Sequence, residues 1–238
     1  MVDKLSQRLV PDELWALVEP LLPQFNPRPQ GGGTAPVEDW AMFTAIVYVL
    51  TSGCAWRLLP ASFGVPVPTA HRRFTEWTKA GLWRRLHRAV LDELGSQGMV
   101  DWSRAVLDGA SVRAKRGSLT GPSPVDRGKP GSKIHVLSDR VGIPLSVAVS
   151  AANTNDAHTL KPLVMAIPAI KSRRGPRRRK PTNFTPARPT TTATSATGSA
   201  ITALVYASPA KALSPATSSA NTAGSSNDRS PGSSATAD

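Results

Sequence analysis

The sequence predicts an α+β chain: an all-α N-terminal domain of helix-turn-helix-like arrangement over residues 8–96, a mixed sheet beginning over 101–170, and a disordered C-terminal tail. Three observations predict it. Apolar residues recur at helical spacing up to about residue 94. Short apolar runs bounded by turn residues replace them after residue 101. From Thr182 onward Ala, Ser, Thr, Pro and Gly dominate and charge nearly vanishes, a composition that cannot bury enough apolar surface to offset chain entropy.

Pro11 suits a first helical turn, and Asp12 and Glu13 suit its positive end. Leu14, Trp15, Leu17, Val18, Leu21 and Leu22 follow at helical spacing until Pro23. Gln30 to Thr34 is a glycine-rich loop. Val37 to Thr51 is a second helix, apolar enough to be buried and ended by Gly53. Thr69 to Lys79 is a third, with Thr69 as N-cap and Gly81 as stop, and Leu82 to Leu94 is a fourth, stopped by Gly95.

Ala105 to Leu107, Ile134 to Leu137 and Leu145 to Val149 read as strands, the first ending in Asp108-Gly109 and the second closed by Asp139 and Gly142. Lys115 to Gly131 is a basic Gly- and Pro-containing loop. Asn155 to Ile167 reads as a helix with Asn155 or Asp156 as cap and Leu160, Leu163, Val164 and Ile167 on one face. Residues 171–181 form a basic linker. Within it, Lys171 to Lys180 holds seven basic residues in ten, which fits either a solvated connection or a phosphate-contacting strip.

A net charge of +13 favours a polyanionic partner, because Lys and Arg contacts to phosphate release counterions. Cys54 is the single cysteine, so no internal disulfide can form and a reducing cytoplasm is expected. No apolar run is long enough to span a bilayer, and the N-terminus lacks a signal-peptide core. No acid–base pair or nucleophile triad marks a metabolic hydrolase. The candidate DNA contacts are His71, Arg72 and Arg73 near the start of the third helix, where a recognition helix reaches bases and phosphates, with Lys79, Arg84, Arg85 and Arg88 beside them. Phe74, Trp77, Leu82 and Trp83 fall on a stripe better read as core.

Three motifs in order, Leu9-Val10-Pro11-Asp12-Glu13-Leu14-Trp15, Thr51-Ser52-Gly53-Cys54-Ala55-Trp56-Arg57-Leu58-Leu59-Pro60 and Arg72-Arg73-Phe74-Thr75-Glu76-Trp77, resemble the N-terminal domain of bacterial insertion-sequence transposases. One departure is Gly64-Val65-Pro66-Val67-Pro68, where that family has Gly-Pro-Trp and then Thr, which alters the turn before the third helix. Residues 106–165 resemble the start of the same family's DDE domain, through Val106 to Ala114, Lys133 to Asp139 with Gly142 to Leu145, Asn155-Asp156 and Leu160 to Leu163. The resemblance implies an incomplete ribonuclease H-like domain over 101–170. It also implies double-stranded DNA of terminal inverted repeats as partner, action as a multimer, and Mg²⁺ or Mn²⁺ as cofactor. Strand transfer is an in-line displacement at phosphorus, in which two oxygen-ligated metals stabilise the attacking and leaving oxygens, so carboxylates must converge. Asp108 carries over as the first catalytic, metal-holding acid. Asp139 reads as structural and Asp156 as a cap.

The blocks that carry the family's second and third acids do not occur in frame after Lys180. Back-translated and read from the third base of each codon, Asn183 to Thr191 permits Leu-His-Ala-X-Lys-Ala-Tyr-Asp, where X cannot be Asp. Thr222 to Asp238 permits His-Arg-Trp-Val-Ile-Glu-Arg-Ser-Leu-Ser-Trp-Leu-Phe-Gly-Tyr-Arg-Arg in the same shifted frame. The expectation is an out-of-frame tail over 182–238 and a catalytically incomplete chain. The alternative role is a DNA-binding regulator or inhibitor of intact transposase.

Overall fold

The computed structural model describes residues 4–24, 37–114 and 117–186; the glycine-rich loop at 30–34 and the tail beyond 186 lie outside the described residues. The order is α1 (Lys4–Leu9), α2 (Asp12–Val18), α3 (Asp39–Ser52), α4 (Val67–Lys79), α5 (Leu82–Ser96), β1 (Arg104–Arg113), β2 (Gly121–Pro122), β3 (Pro130–Asp139), β4 (Pro144–Ala151), α6 (Asp156–Ala166) and β5 (Asn183–Pro186). No described helix is long and apolar enough to cross a membrane.

α3 is the centre of the helical layer. Seven of its residues, from Met42 to Val49, are buried, so it is enclosed rather than amphipathic. Gly53 ends it in the left-handed conformation at φ 65°, where a side chain would be strained. Phe43 packs against the rings of Trp15, Trp77 and Trp83 at 6.1, 6.3 and 6.1 Å, which ties α2, α4 and α5 to α3.

Three expected signals work differently from the pattern. Pro11 stands just outside α2 as its N-cap, in extended conformation. Thr69 does not cap α4: the helix starts at Val67 behind Pro66, with a proline in its first turn, where the missing N–H costs nothing. Gly95 does not stop α5 but lies inside it. A Cβ there would strike the Lys171 carbonyl oxygen and approach Ile170 Cγ2 to 2.7 Å, so the glycine permits a close backbone crossing.

α5 joins two cores. Its first half, with Leu82, Trp83 and Leu86, completes the helical core; Leu91 enters a second core with Trp102, Ala105, Leu137, Leu145, Leu163, Ile167 and Ile170. His87, between the two, donates from Nε2 to the Pro144 carbonyl at 2.8 Å. The helical and sheet segments are therefore packed on one shared helix.

β1, β3 and β4 form an antiparallel meander, and α6 follows. β5 then returns to lie parallel to β1, giving the order β4-β3-β1-β5, with β2 extending along one end of β3. α6 packs on one face of β3 and β4; Ser146 on β4 donates to the Leu163 carbonyl of α6 at 2.9 Å.

The sheet corrects two expectations. β1 is ten residues long, so Asp108 lies in mid-strand and not at a strand end. Asp and Gly are poor strand formers, yet the continuous ladder from Ala105↔Asp139 to Arg113↔Gly131 outweighs that local preference. The segment expected to be out of frame and disordered from residue 182 begins instead with a strand, because Asn183 to Pro186 register against Arg104 to Leu107.

Candidate nucleic-acid interface and carboxylate site

Arg88 apart, the six basic residues expected to contact DNA divide into three groups. Lys79 and Arg84 are exposed and pair with no carboxylate among the described residues. His71, Arg72 and Arg85 are exposed but engaged. His71 meets the Trp56 ring edge-on at 5.3 Å, and Arg72 pairs one turn along with Glu76 at 3.8 Å, a contact of little energetic weight at such exposure. Arg85 donates to the carbonyls of Ala80 and Leu21 at 2.9 and 2.8 Å, which pins the start of α5 to the segment after α2.

Arg73 is the exception. It is only 8 % exposed and faces Asp39 of α3 at 3.9 Å. It lies on the stripe of Ala70 and Trp77, the buried face of α4, so its role is to join two helices and not to reach a phosphate. The spacing of positions 70, 73 and 77 was the signal for this. What remains for a ligand is one exposed face of α4 with Arg72 and Lys79, and Arg84 and Arg88 one turn apart near the start of α5. The two helices are joined by only Ala80 and Gly81, with Gly81 at φ 72° making the turn.

On the sheet, Asp108 is exposed and its Oδ1 accepts from the Gly109 N–H at 2.8 Å. Strand alternation puts it on the face opposite α6, with Val136 directly across on β3 and Val147 beyond on β4. Val106, Ile134, Val136, Val147 and Val149 on that face are half-buried. Across the parallel pair, Leu107 registers with Pro186, and β5 brings Asn183, Phe184, Thr185 and Pro186 to this side. None of these is acidic. Among the described residues no group of three or more His, Cys, Asp or Glu side chains is placed to hold a metal ion. The described residues thus supply one carboxylate where a two-metal centre needs at least two, and they do not fit such a centre.

The other two aspartates are structural, and one differs from its expected role. Asp139 is buried; its Oδ1 accepts from the N–H groups of Val141, Gly142 and Ile143 at 2.8 to 3.0 Å, and its Oδ2 from Asp101 N–H at 2.9 Å. It shapes the turn between β3 and β4. The cap of α6 is Asn155, which accepts from Ala157 N–H at 3.0 Å. Asp156 instead pairs with Lys133 Nζ at 2.8 Å and with His135 Nδ1 at 3.1 Å. Gly109 makes room: a Cβ there would lie 3.1 Å from Lys133 Cε.

His135 was not singled out by the sequence. It is fully buried, with Nε2 2.7 Å from Ser150 Oγ and Nδ1 facing Asp156 and Thr159. A carboxylate only accepts, so Nδ1 carries the proton and Nε2 accepts from Ser150. The residue types are those of a hydrolase triad, but Ser150 is 4 % exposed beneath α6, so the network holds α6 to the sheet.

Burial lowers the pKa of His135, against the raising effect of Asp156, and Lys133 lowers it further. Burial lowers the pKa of His87 too, opposed by its bond to the Pro144 carbonyl. Both histidines therefore bind protons less readily in the fold than when unfolded. Their contribution is fully present above the unfolded pKa of 6.5 and is lost as pH falls below it toward the lowered folded values. The slope is at most about 1.4 kcal/mol per pH unit for each. The expected result is a melting temperature several degrees lower at pH 5.5 than at pH 7.5, and a shallower decline in His135→Gln; a flat profile would contradict it.

A family model described as "Putative transposase of IS4/5 family" matches residues 10–87. Over 112 residues the chain is 42 % identical to "Insertion element IS402 uncharacterized 16.2 kDa protein" of Burkholderia cepacia, covering 46 % of this chain and 76 % of that protein. Over 56 residues it is 50 % identical to "Putative transposase for insertion sequence element IS402" of the same organism, covering 24 % of this chain and about a quarter (26 %) of that relative's length. No solved structure matches. The matched span contains α2 to α4 and the start of α5 as far as His87, the stretch that carries the aromatic core and, Arg88 apart, the basic faces, and by this likeness the chain belongs to the insertion-sequence transposases.

Proposed function

We propose that the chain binds the terminal inverted repeats of its element as duplex DNA through α4 and the start of α5, in a helix-turn-helix-like manner, and that its sheet is the first part of a ribonuclease H-like DDE catalytic domain. The observation that carries the second half is topological. An antiparallel three-strand meander followed by a helix supports that reading, and Asp108 stands on the first strand. Asp108 is the acid that would hold a divalent metal, Mg²⁺ or Mn²⁺, in a complete enzyme. The DNA half rests on Arg72, Lys79, Arg84 and Arg88, which are exposed on two helices joined by a two-residue turn.

A second role is favoured by one observation: the strand beside β1 brings no carboxylate. A chain that binds the element's ends without cutting them acts as a regulator or inhibitor of intact transposase. In both readings the tail from about residue 182 is an out-of-frame translation of transposase DNA.

The test is a gel shift with the element's own end duplex and a scrambled duplex. Retardation specific to the end, and weakened by salt, is expected. Arg84→Ala and Lys79→Ala should each reduce the salt slope by about 0.9, one phosphate contact. Arg73→Ala should instead lower the melting temperature, because it leaves Asp39 without this partner and opens the packing between α3 and α4. Equal retardation of both duplexes would count against recognition of the ends.

A further inference from the structure

The basic stretch at 171–180 is not a free linker. Seven of its ten residues are Lys or Arg and none is acidic. Ile170 and Arg178 exchange backbone hydrogen bonds, both at 2.9 Å, as an antiparallel bridge. Ser172 Oγ donates to the Pro176 carbonyl at 3.0 Å, and Gly175 takes φ 88° at the tip. The segment is a short hairpin.

It is fastened to the body of the protein at both arms. Ile170 is buried in the second core and crosses α5 at Gly95. Lys171 N–H and the Arg177 guanidinium both bond to Asp92 of α5, at 2.9 and 2.7 Å, and Arg177 also donates to the Ala169 carbonyl. Arg178 lies over the Trp102 ring at 5.3 Å. The Arg173 side chain lies over Gly98, its Cδ 3.4 Å from where a Cβ would stand.

Arg177 and Arg178 are thus occupied by the protein itself. Arg173, Arg174, Arg179 and Lys180 are exposed and meet no carboxylate among the described residues. Four like charges held together on a short backbone repel one another, and mutual repulsion alone would drive such a segment apart. The anchors through Asp92, Trp102 and Ile170 oppose that, so the charges are presented as a set with much of their ordering entropy already removed.

We infer that this hairpin is a preorganised clamp for the phosphate backbone of duplex DNA, separate from the basic faces of α4 and α5. It deepens the DNA-binding reading and rests on it. Its contacts are to phosphates and carry no sequence information, so it adds affinity equally on any duplex and leaves discrimination to the helices.

The experiment compares the full chain with a variant carrying Arg173→Gln, Arg174→Gln, Arg179→Gln and Lys180→Gln. Fluorescence anisotropy reads binding to an end duplex and a scrambled duplex between about 50 and 200 mM salt. The variant is expected to bind both at least about tenfold more weakly at the lower salt, with the slope of log K on log salt reduced by about 3 to 4. The ratio between the two duplexes should not change. Circular dichroism and melting report whether the fold is kept. If the fourfold variant fails to fold, the pair Arg179→Gln and Lys180→Gln is read instead, with a slope change of about 2. A folded variant with the wild-type slope, while wild type binds, overturns the clamp and leaves the DNA-binding reading standing. A wild-type chain that binds neither duplex overturns both.

Discussion

Trp83→Ala should cost about 3–5 kcal/mol and leave the helical layer unfolded, or nearly so, at ordinary temperature. Trp83 is fully buried; its ring stacks on Phe43 and lies 5.8 Å from Phe74 and 6.5 Å from Trp77. Its indole N–H donates to Thr78 Oγ1 at 2.8 Å, so truncation also removes a bond across the turn between α4 and α5. Aromatic pairs add about 0.5–1.5 kcal/mol beyond area burial, and here three meet at one residue. Domains of this size are stable by only about 5–15 kcal/mol in all. Because α5 also supplies Leu91 to the second core, the loss should be felt in the sheet as well. Urea midpoints by far-ultraviolet dichroism check it, with exposed Arg88→Ala as the control, expected within about 0.5 kcal/mol of wild type. A Trp83→Ala midpoint close to that control would show that the aromatic cluster is not the keystone of the helical layer.

Phe74 and Trp77 were legible because they stand three apart on α4, and a periodic signal survives without knowledge of the neighbours; Trp83 begins a second helix beyond the Ala80–Gly81 turn, and its meeting with them is a tertiary contact. Arg73 was not legible, since a charged residue beside Arg72 reads as surface until Ala70 and Trp77 are placed on the same stripe. The length of β1 was hidden for the opposite reason. Asp108-Gly109 is a local turn signal, and what keeps the strand going is the ladder to β3, some two dozen residues away. Asp156 and Asn155 both suit a cap, and only the position of Lys133 and His135 on the neighbouring strand decides that Asn155 caps while Asp156 forms ion pairs. His135 shares its parity with buried Leu137 and Asp139, so alternation marks it as inward; its partners on β4 and α6 are non-local and leave no sequence trace. β5 is the least legible element, because only Phe184 and Thr185 favour strand, Asn183 and Pro186 on either side disfavour it, and the four pair by virtue of the edge of β1.

The register at that edge leads to the second large effect: the purified chain should give no detectable strand transfer on an end duplex in buffers containing either Mg²⁺ or Mn²⁺. Cleavage and joining at phosphorus need charge stabilisation on both the attacking and leaving oxygens, and a lone carboxylate cannot fix two ions. Asp108 is such a lone group among the described residues, and the strand registered beside it carries Asn, Phe, Thr and Pro. The same argument predicts weak ion binding. A ligand held at a hundred times its Kd raises stability by about 2.7 kcal/mol, whereas a single exposed carboxylate in millimolar Mg²⁺ should raise it by almost nothing. Melting curves with a chelator and with Mg²⁺ should therefore coincide, and Asp108→Asn should melt as the parent does. Robust transfer, or a metal-dependent rise in melting temperature that Asp108→Asn abolishes, would mean that acids beyond residue 186 complete the site, and the reading of this chain as an end-binding, non-cutting product would fall.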